Sequence, residues 1–189
     1  MGFPSFASGD ILTATDMNAV GLWKVTTATA TSGGTLNINS CFTSTYARYR
    51  IIGTIVGTTA TAYEMLFRLR ASGTDTATGY YYGVSRVDVA ASAINVVVGN
   101  NQTYASFGAV ANNNGRAHFV ADISNPQVAQ YTTYSGQGVD IRNASGYAGI
   151  NVSGQLANTT VYDGITIGYG PFGTGTISNL QVAIYGYRD

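Results

Sequence analysis

In the run YEMLFRLR, Tyr63, Met65, Phe67 and Leu69 alternate with Glu64, Leu66, Arg68 and Arg70, and this period of two predicts a half-buried strand. Similar short runs recur in YARYRIIGTIVG, GYYYGVSRVDV, AINVVVG, RAHFVADIS, GYAGINVSG, VYDGITIGY and ISNLQVAIYGY. Between them lie SGTDTATG, GNNQ, NNNG, SNPQ and FGTGT, clusters of residues that tolerate positive φ or close Asx turns. About eight or nine strands punctuated in this way predict an all-β protein, an antiparallel β-sandwich of jelly-roll-like arrangement. No composition break and no fixed-period repeat divides residues 24–189, so they read as one β domain. The stretch TTATATSGGT, Thr26 to Thr35, reads either as a linker or as a weak first strand.

The pattern changes only at the N-terminus. Thr13 precedes Ala14, Thr15 and Asp16 in a capping-box spacing, where the Thr13 hydroxyl accepts an N–H of the first turn and Asp16 reaches back. With Thr13 as N-cap, Leu12 and Met17 take the two positions of a hydrophobic staple, and Gly21 weakens continuation. The expected element is a helix of about two turns over residues 14–22, too short to stand alone because helix nucleation is costly. Residues 1–23 therefore read as an arm that docks through Phe3, Phe6, Leu12, Thr13, Met17 and Trp23.

Composition narrows the partners. Nine basic and nine acidic residues are spread singly along a chain that is only 10% charged, which leaves no basic stripe for nucleic acid. The longest apolar run is too short to cross a bilayer, and the N-terminus lacks the features of a signal peptide, so the expectation is a soluble, unexported protein with no membrane partner. The four matches to the glycosylation pattern, beginning at Asn101, Asn143, Asn151 and Asn158, then read as accidental. Cys41 is the single cysteine, so no intrachain disulfide forms, and its expected role is that of a small buried hydrophobe.

Candidate catalytic chemistry is sparse. The single histidine, His118, shares a strand face with Arg116, Val120 and Asp122, opposite Ala117, Phe119 and Ala121, and no G-x-S-x-G elbow accompanies it. One Cys and one His do not make a structural zinc site, and neither GTDTATG nor NNNG has the spacing of a dedicated calcium loop. Glu64 and Asp122 are the mid-strand acids from which a glycosidase pair could be built, but they read better as strand charges. The expectation is no enzyme, no catalytic residue, no metal and no cofactor.

Tyrosine is the more suggestive inventory. Fourteen tyrosines stand against one tryptophan, and GYYYG and YTTY concentrate five of them. Tyr80, Tyr81 and Tyr82 must alternate faces along a strand, so at least one points away from the core. Tyrosine adds rigid contact area at low entropic cost, and Tyr80, Tyr81, Tyr82, Tyr131 and Tyr134 are the candidate ligand-contact residues, although tyrosine is also a normal strand former and core or sheet packing is the stronger reading for such residues.

The segment FASGDILTATDMNA, Phe6 to Ala19, resembles an N-terminal segment of many tailed-bacteriophage tail-fibre and other virion structural proteins, of the form F-x-x-G-x-x-L-T-A-x-x-[LM]-N. Phe6, Gly9, Leu12, Thr13, Ala14, Met17 and Asn18 occupy its positions. The runs YRIIGTIVG, LFRLRASGTDTATGYYYG and GTISNLQVAIYGY are similar to the β-sandwich heads of such appendage and decoration proteins. The resemblance implies a virion location, attachment to other tail or capsid proteins through the arm, and a β domain that faces outward. The expected function is a short tail fibre or fibre-like appendage that recognises host-surface glycan. The alternatives are a capsid decoration or cement protein and, behind both, a glycan depolymerase. The low charge and the resemblance together lead to an expected homotrimer.

Overall fold

The computed structural model describes residues 21–58, 61–89, 91–112, 115–141 and 147–187. Among them the alternating runs form thirteen strands. In chain order these are β1 (Leu22–Ala30), β2 (Thr35–Ile38), β3 (Arg48–Gly57), β4 (Tyr63–Ala71), β5 (Thr74–Asp75), β6 (Tyr80–Asp88) and β7 (Ala93–Gln102). They continue as β8 (Ala105–Ala111), β9 (Ala117–Ser124), β10 (Thr132–Ile141), β11 (Tyr147–Leu156), β12 (Gly164–Tyr169) and β13 (Ile177–Tyr187).

The strands build two antiparallel layers. The larger runs β1-β13-β3-β9-β10-β11-β6-β7, and the smaller runs β2-β12-β4-β8, with β5 folded back on β4. A single parallel bridge, Asp140 to Val110, joins the layers at one corner through β10 and β8. With β5–β7 and β10–β11 set aside, each layer keeps four strands, β1-β13-β3-β9 over β2-β12-β4-β8. Of the strands set aside, β6, β7, β10 and β11 extend the larger layer, while β5 stays with β4 in the smaller one.

The period of two explains which face is inside. On β3, Tyr49, Ile51, Gly53, Ile55 and Gly57 are buried, while Arg48, Arg50, Ile52, Thr54 and Val56 face outward. On β9, Ala117, Phe119, Ala121 and Ile123 are buried, and His118, Val120, Asp122 and Ser124 lie on the other face. The inward rows meet a row of rings: Phe107 of β8 stacks on Phe119 at 4.4 Å, Phe67 of β4 lies 4.6 Å from Phe107, and Tyr134 of β10 meets Phe67 edge-on at 5.0 Å. Burying each such ring contributes about 1.5–3 kcal/mol, so this stack is a main tie between the layers.

Two glycines make room for rings on directly opposed strands. Gly53 pairs with Phe119, and a Cβ there would fall 2.3 Å from the Phe119 ring. Gly99 pairs with Tyr82, and its Cβ would fall 2.4 Å from the Tyr82 ring. The rings lie across the bare backbone, the cross-strand arrangement by which an aromatic covers a strand glycine.

Several expectations change. No helix occurs among the described residues; the expected helix lies outside them but for its last positions, Gly21 and Leu22, of which Leu22 opens β1, and the arm positions Phe3, Phe6, Leu12, Thr13 and Met17 also lie outside them. Trp23 is in β1, opposite Gly186 of β13, so the sandwich begins at Leu22 and Trp23 belongs to it rather than to the arm. Sheet pairing carries the chain past the expected boundary at residue 24. The Thr26–Thr35 stretch divides into the end of β1, a turn, and the first residue of β2. Thirteen strands replace eight or nine because β1 and β2 divide a stretch that reads as one weak strand or a linker, β5 is only two residues long, β8 is buried at all seven positions and so shows no alternation, and seven of the ten residues of β10 are Thr, Ser, Gly, Gln or Asp.

Candidate functional site

The outward face of the larger layer carries a trough of about 600 Å³ that crosses six strands, from Arg50 on β3 to Val96 on β7. Strand spacing makes this a span of about 24 Å. Register assembles it. Arg50 faces Asp122, Asp122 faces Ser135, Ser135 faces Ser153, and Ser153 faces Gly83. One step along the strands, Val120, Gln137, Asn151, Ser85 and Val96 form a second row. The middle strands contribute only short side chains to the first row, which leaves a depression between a charged wall at β3 and an aliphatic wall at β7.

The charged wall is rigidly paired. Arg50 donates from Nε and one Nη to the two carboxylate oxygens of Asp122 at 2.9 and 2.7 Å, and the Tyr187 hydroxyl donates to Asp122 Oδ1 at 2.8 Å. The guanidinium groups of Arg48 and Arg50 lie 5.2 and 5.4 Å from the Tyr187 ring centre. Partial burial raises the Asp122 pKa, but the bonds from Arg50 and Tyr187 outweigh it and hold the carboxyl below its ordinary value. The same carboxylate, with burial acting first, pushes the Tyr187 hydroxyl up. Asp122 is therefore a fixed anion with its oxygens occupied, an anchor for the wall rather than a free acid.

The floor is the opposite case. Ser135, Gln137, Asn151 and Ser153 are exposed, and their side chains make no hydrogen bond to any described residue. Together with Ser85 they present neutral donors and acceptors at strand spacing, open to solvent. Such a surface suits a neutral ligand rich in hydroxyl groups. It offers no cluster of cations for a phosphate chain, because its single guanidinium is already committed to Asp122.

The tyrosines divide by face. Tyr81 is on the outward face, level with Gln155 of β11 and beside the trough, and it is 37% exposed. Tyr131, 53% exposed, precedes β10. The other three are corrections to the sequence reading: on β6 the alternation that turns Tyr81 outward turns Tyr80 and Tyr82 in, and on β10 Tyr134 faces the core. Tyr80 is fully buried, accepting the Leu69 N–H at 2.8 Å and donating to the Thr76 carbonyl at 3.0 Å. Tyr82 lies over Gly99 on the inward face, and burial pushes its hydroxyl up to about 12. Tyr134 is in the core against Phe67, its hydroxyl buried with no hydrogen-bond partner.

Other singled-out residues also find their places. Cys41 is buried, and desolvation raises its thiol to about 12, so it packs as a small hydrophobe. His118 is exposed on the outward face of β9, on the side expected from alternation. Glu64 accepts a hydrogen bond from Ser106 in the smaller layer, while Asp122 lies in the larger one, so the two acids do not share a site. Among the described residues no three His, Cys, Asp or Glu side chains come together to hold a metal ion.

The trough itself escaped sequence reading. Its residues span positions 50 to 153, and no local motif links them; only the register of five strand pairs does. The usable signal was the polar, small-residue character of the outward positions of β10 and β11. In comparisons of this chain with protein-family models, curated proteins and solved structures, nothing matches.

Proposed function

We propose that this chain is a non-enzymatic bacteriophage virion structural protein, a short tail fibre or fibre-like appendage that attaches through its N-terminal arm and binds host-surface glycan along the trough. The observation that carries the reading is the floor of unengaged hydroxyl and amide groups between the Arg50–Asp122 wall and Val96. A glycan chain has the complementary chemistry, with many neutral hydroxyls and apolar ring faces for Tyr81 to pack against. The volume lies in the ordinary range of ligand sites. The strand order β1-β13-β3-β9 over β2-β12-β4-β8 is that of a jelly roll, a fold used by viral capsid and lectin domains, which supports a virion binding module by analogy of fold alone.

The direct test is saturation-transfer NMR with polysaccharides from candidate host surfaces. Ligand signals that disappear with Ser153→Trp, which fills the trough, support the reading; ligand signals that this substitution leaves unchanged sink it. Chains lacking residues 1–20 should fold yet fail to enter particles.

A capsid decoration role is the second reading. It is favoured by a shallow, largely apolar groove of about 340 Å³ on the same face, formed by β1, β13 and β3 around Ile52, which a neighbouring capsid subunit could cover. Labelled antibodies that mark the capsid lattice rather than the tail would establish it.

A further inference from the structure

The two edges of the larger layer are unlike. The β1 edge carries Lys24 and an irregular register between Lys24 and Thr26, features that discourage pairing with another strand. The β7 edge has neither protection. Its ten residues, AINVVVGNNQ, include no charge and no proline, and among the described residues β7 pairs only with β6. Its one irregularity falls near Asn100 and Asn101, leaving residues 93–99 in regular register with β6.

Apolar side chains are displayed on this edge. Ile94, Val96 and Val98 share the outward face and are 73%, 69% and 74% exposed; Val97, on the opposite face, is 58% exposed. Val87 of β6, beside Ile94, extends the patch. Unpaired backbone groups next to branched apolar side chains make a template for one more strand.

We infer that β7 pairs antiparallel with β7 of a second copy of this chain, about a twofold axis through Val96. The pattern is self-complementary. In such a pair Val96 faces its own counterpart, Ile94 faces Val98 of the other copy, and Val98 faces Ile94, so three apolar positions meet three on one face of the joined sheet. The absence of charge on residues 93–102 removes the repulsion that two identical charged edges would meet, and gives a charged foreign peptide nothing to pair with. The two larger layers become one continuous sheet. Because each trough ends at Val96, the two troughs run end to end across an Ile–Val seam. The contact itself does not depend on the glycan reading; the doubling of binding sites does.

The test is sedimentation equilibrium on the full chain across the micromolar range. The expected species is twice the 19.7 kDa monomer. Val96→Lys and Val96→Glu each place a charge opposite its own copy, at an exposed position where folding should persist, as circular dichroism can check. Each variant alone should be monomeric, with self-association weakened at least tenfold, and an equimolar mixture should dimerise again. A monomeric or trimeric wild type, a dimer indifferent to both substitutions, or a mixture that stays monomeric would each overturn the inference. Glycan titration of Ile94→Lys, whose charge falls against Val98 of the other copy but lies outside the trough lining, separates the two proposals: this variant should lose self-association while its single trough still binds.

Discussion

Arg50 and Asp122 are directly opposed on neighbouring strands and close a two-bond ion pair on the outward face of the larger layer. Both side chains are about a third exposed, so solvent screening limits the contribution of the pair to less than about 1 kcal/mol. Its Asp122 carboxyl titrates below the ordinary value in the folded chain, so this contribution is present above the unfolded carboxyl pKa and is lost as pH falls through the lowered one. Asp122→Asn should therefore cost little stability at neutral pH, and the difference from wild type should vanish in strong acid. Thermal unfolding followed from neutral pH down to about pH 2 reads this directly.

Tyr134 tests the division between core and contact tyrosines. Its hydroxyl is buried without a partner, and leaving such a group unsatisfied costs about 1–3 kcal/mol. Tyr134→Phe should keep the ring contact with Phe67 and raise the urea midpoint. A fall in stability would mean that the hydroxyl has a partner.

Gly53→Ala probes the seat of Phe119. The added methyl group meets the ring, which cannot retreat because Phe107 stacks behind it. Overpacking of this kind costs about 1–3 kcal/mol. Denaturant unfolding should show it as a lower midpoint at unchanged slope, and Gly53→Ala with Phe119→Leu should recover part of the loss.

Alkaline titration follows from the buried rings. Burial raises the hydroxyls of Tyr49, Tyr80, Tyr82 and Tyr134 above the ordinary phenol value, Tyr82 to about 12. The folded state thus favours their neutral form. This stability is complete below the unfolded pKa of about 10 and is lost as pH rises through the folded values. Absorbance near the phenolate band should show Tyr49, Tyr80, Tyr82 and Tyr134 ionising together with unfolding.

What was legible in the sequence is what alternation encodes. Tyr63, Met65, Phe67 and Leu69 share one face, His118 is on the exposed side of its strand, and Tyr81 points away from the core. Alternation says which residues share a face within a strand but not which face meets the other layer, so Tyr80 and Tyr82 read as well for contact as Tyr81 did. A site distributed over six strands needs the pairing register, which depends on long-range packing. β8, buried on both sides, lacks the alternation from which strands are read.

The placement of β13 bears on how the molecule comes to exist. β13 lies between β1 and β3, and β12 lies between β2 and β4, so neither layer can zip up until segments more than a hundred residues downstream have been synthesised. β1 and β2 have no lasting partner during that interval, and β3 and β4, though they can pair with β9 and β8, each keep one open edge that a crowded neighbour can capture. Such non-local pairing is intrinsically slow. Slow translation, which helps proteins that fold from the N-terminus onward, would lengthen the vulnerable interval here.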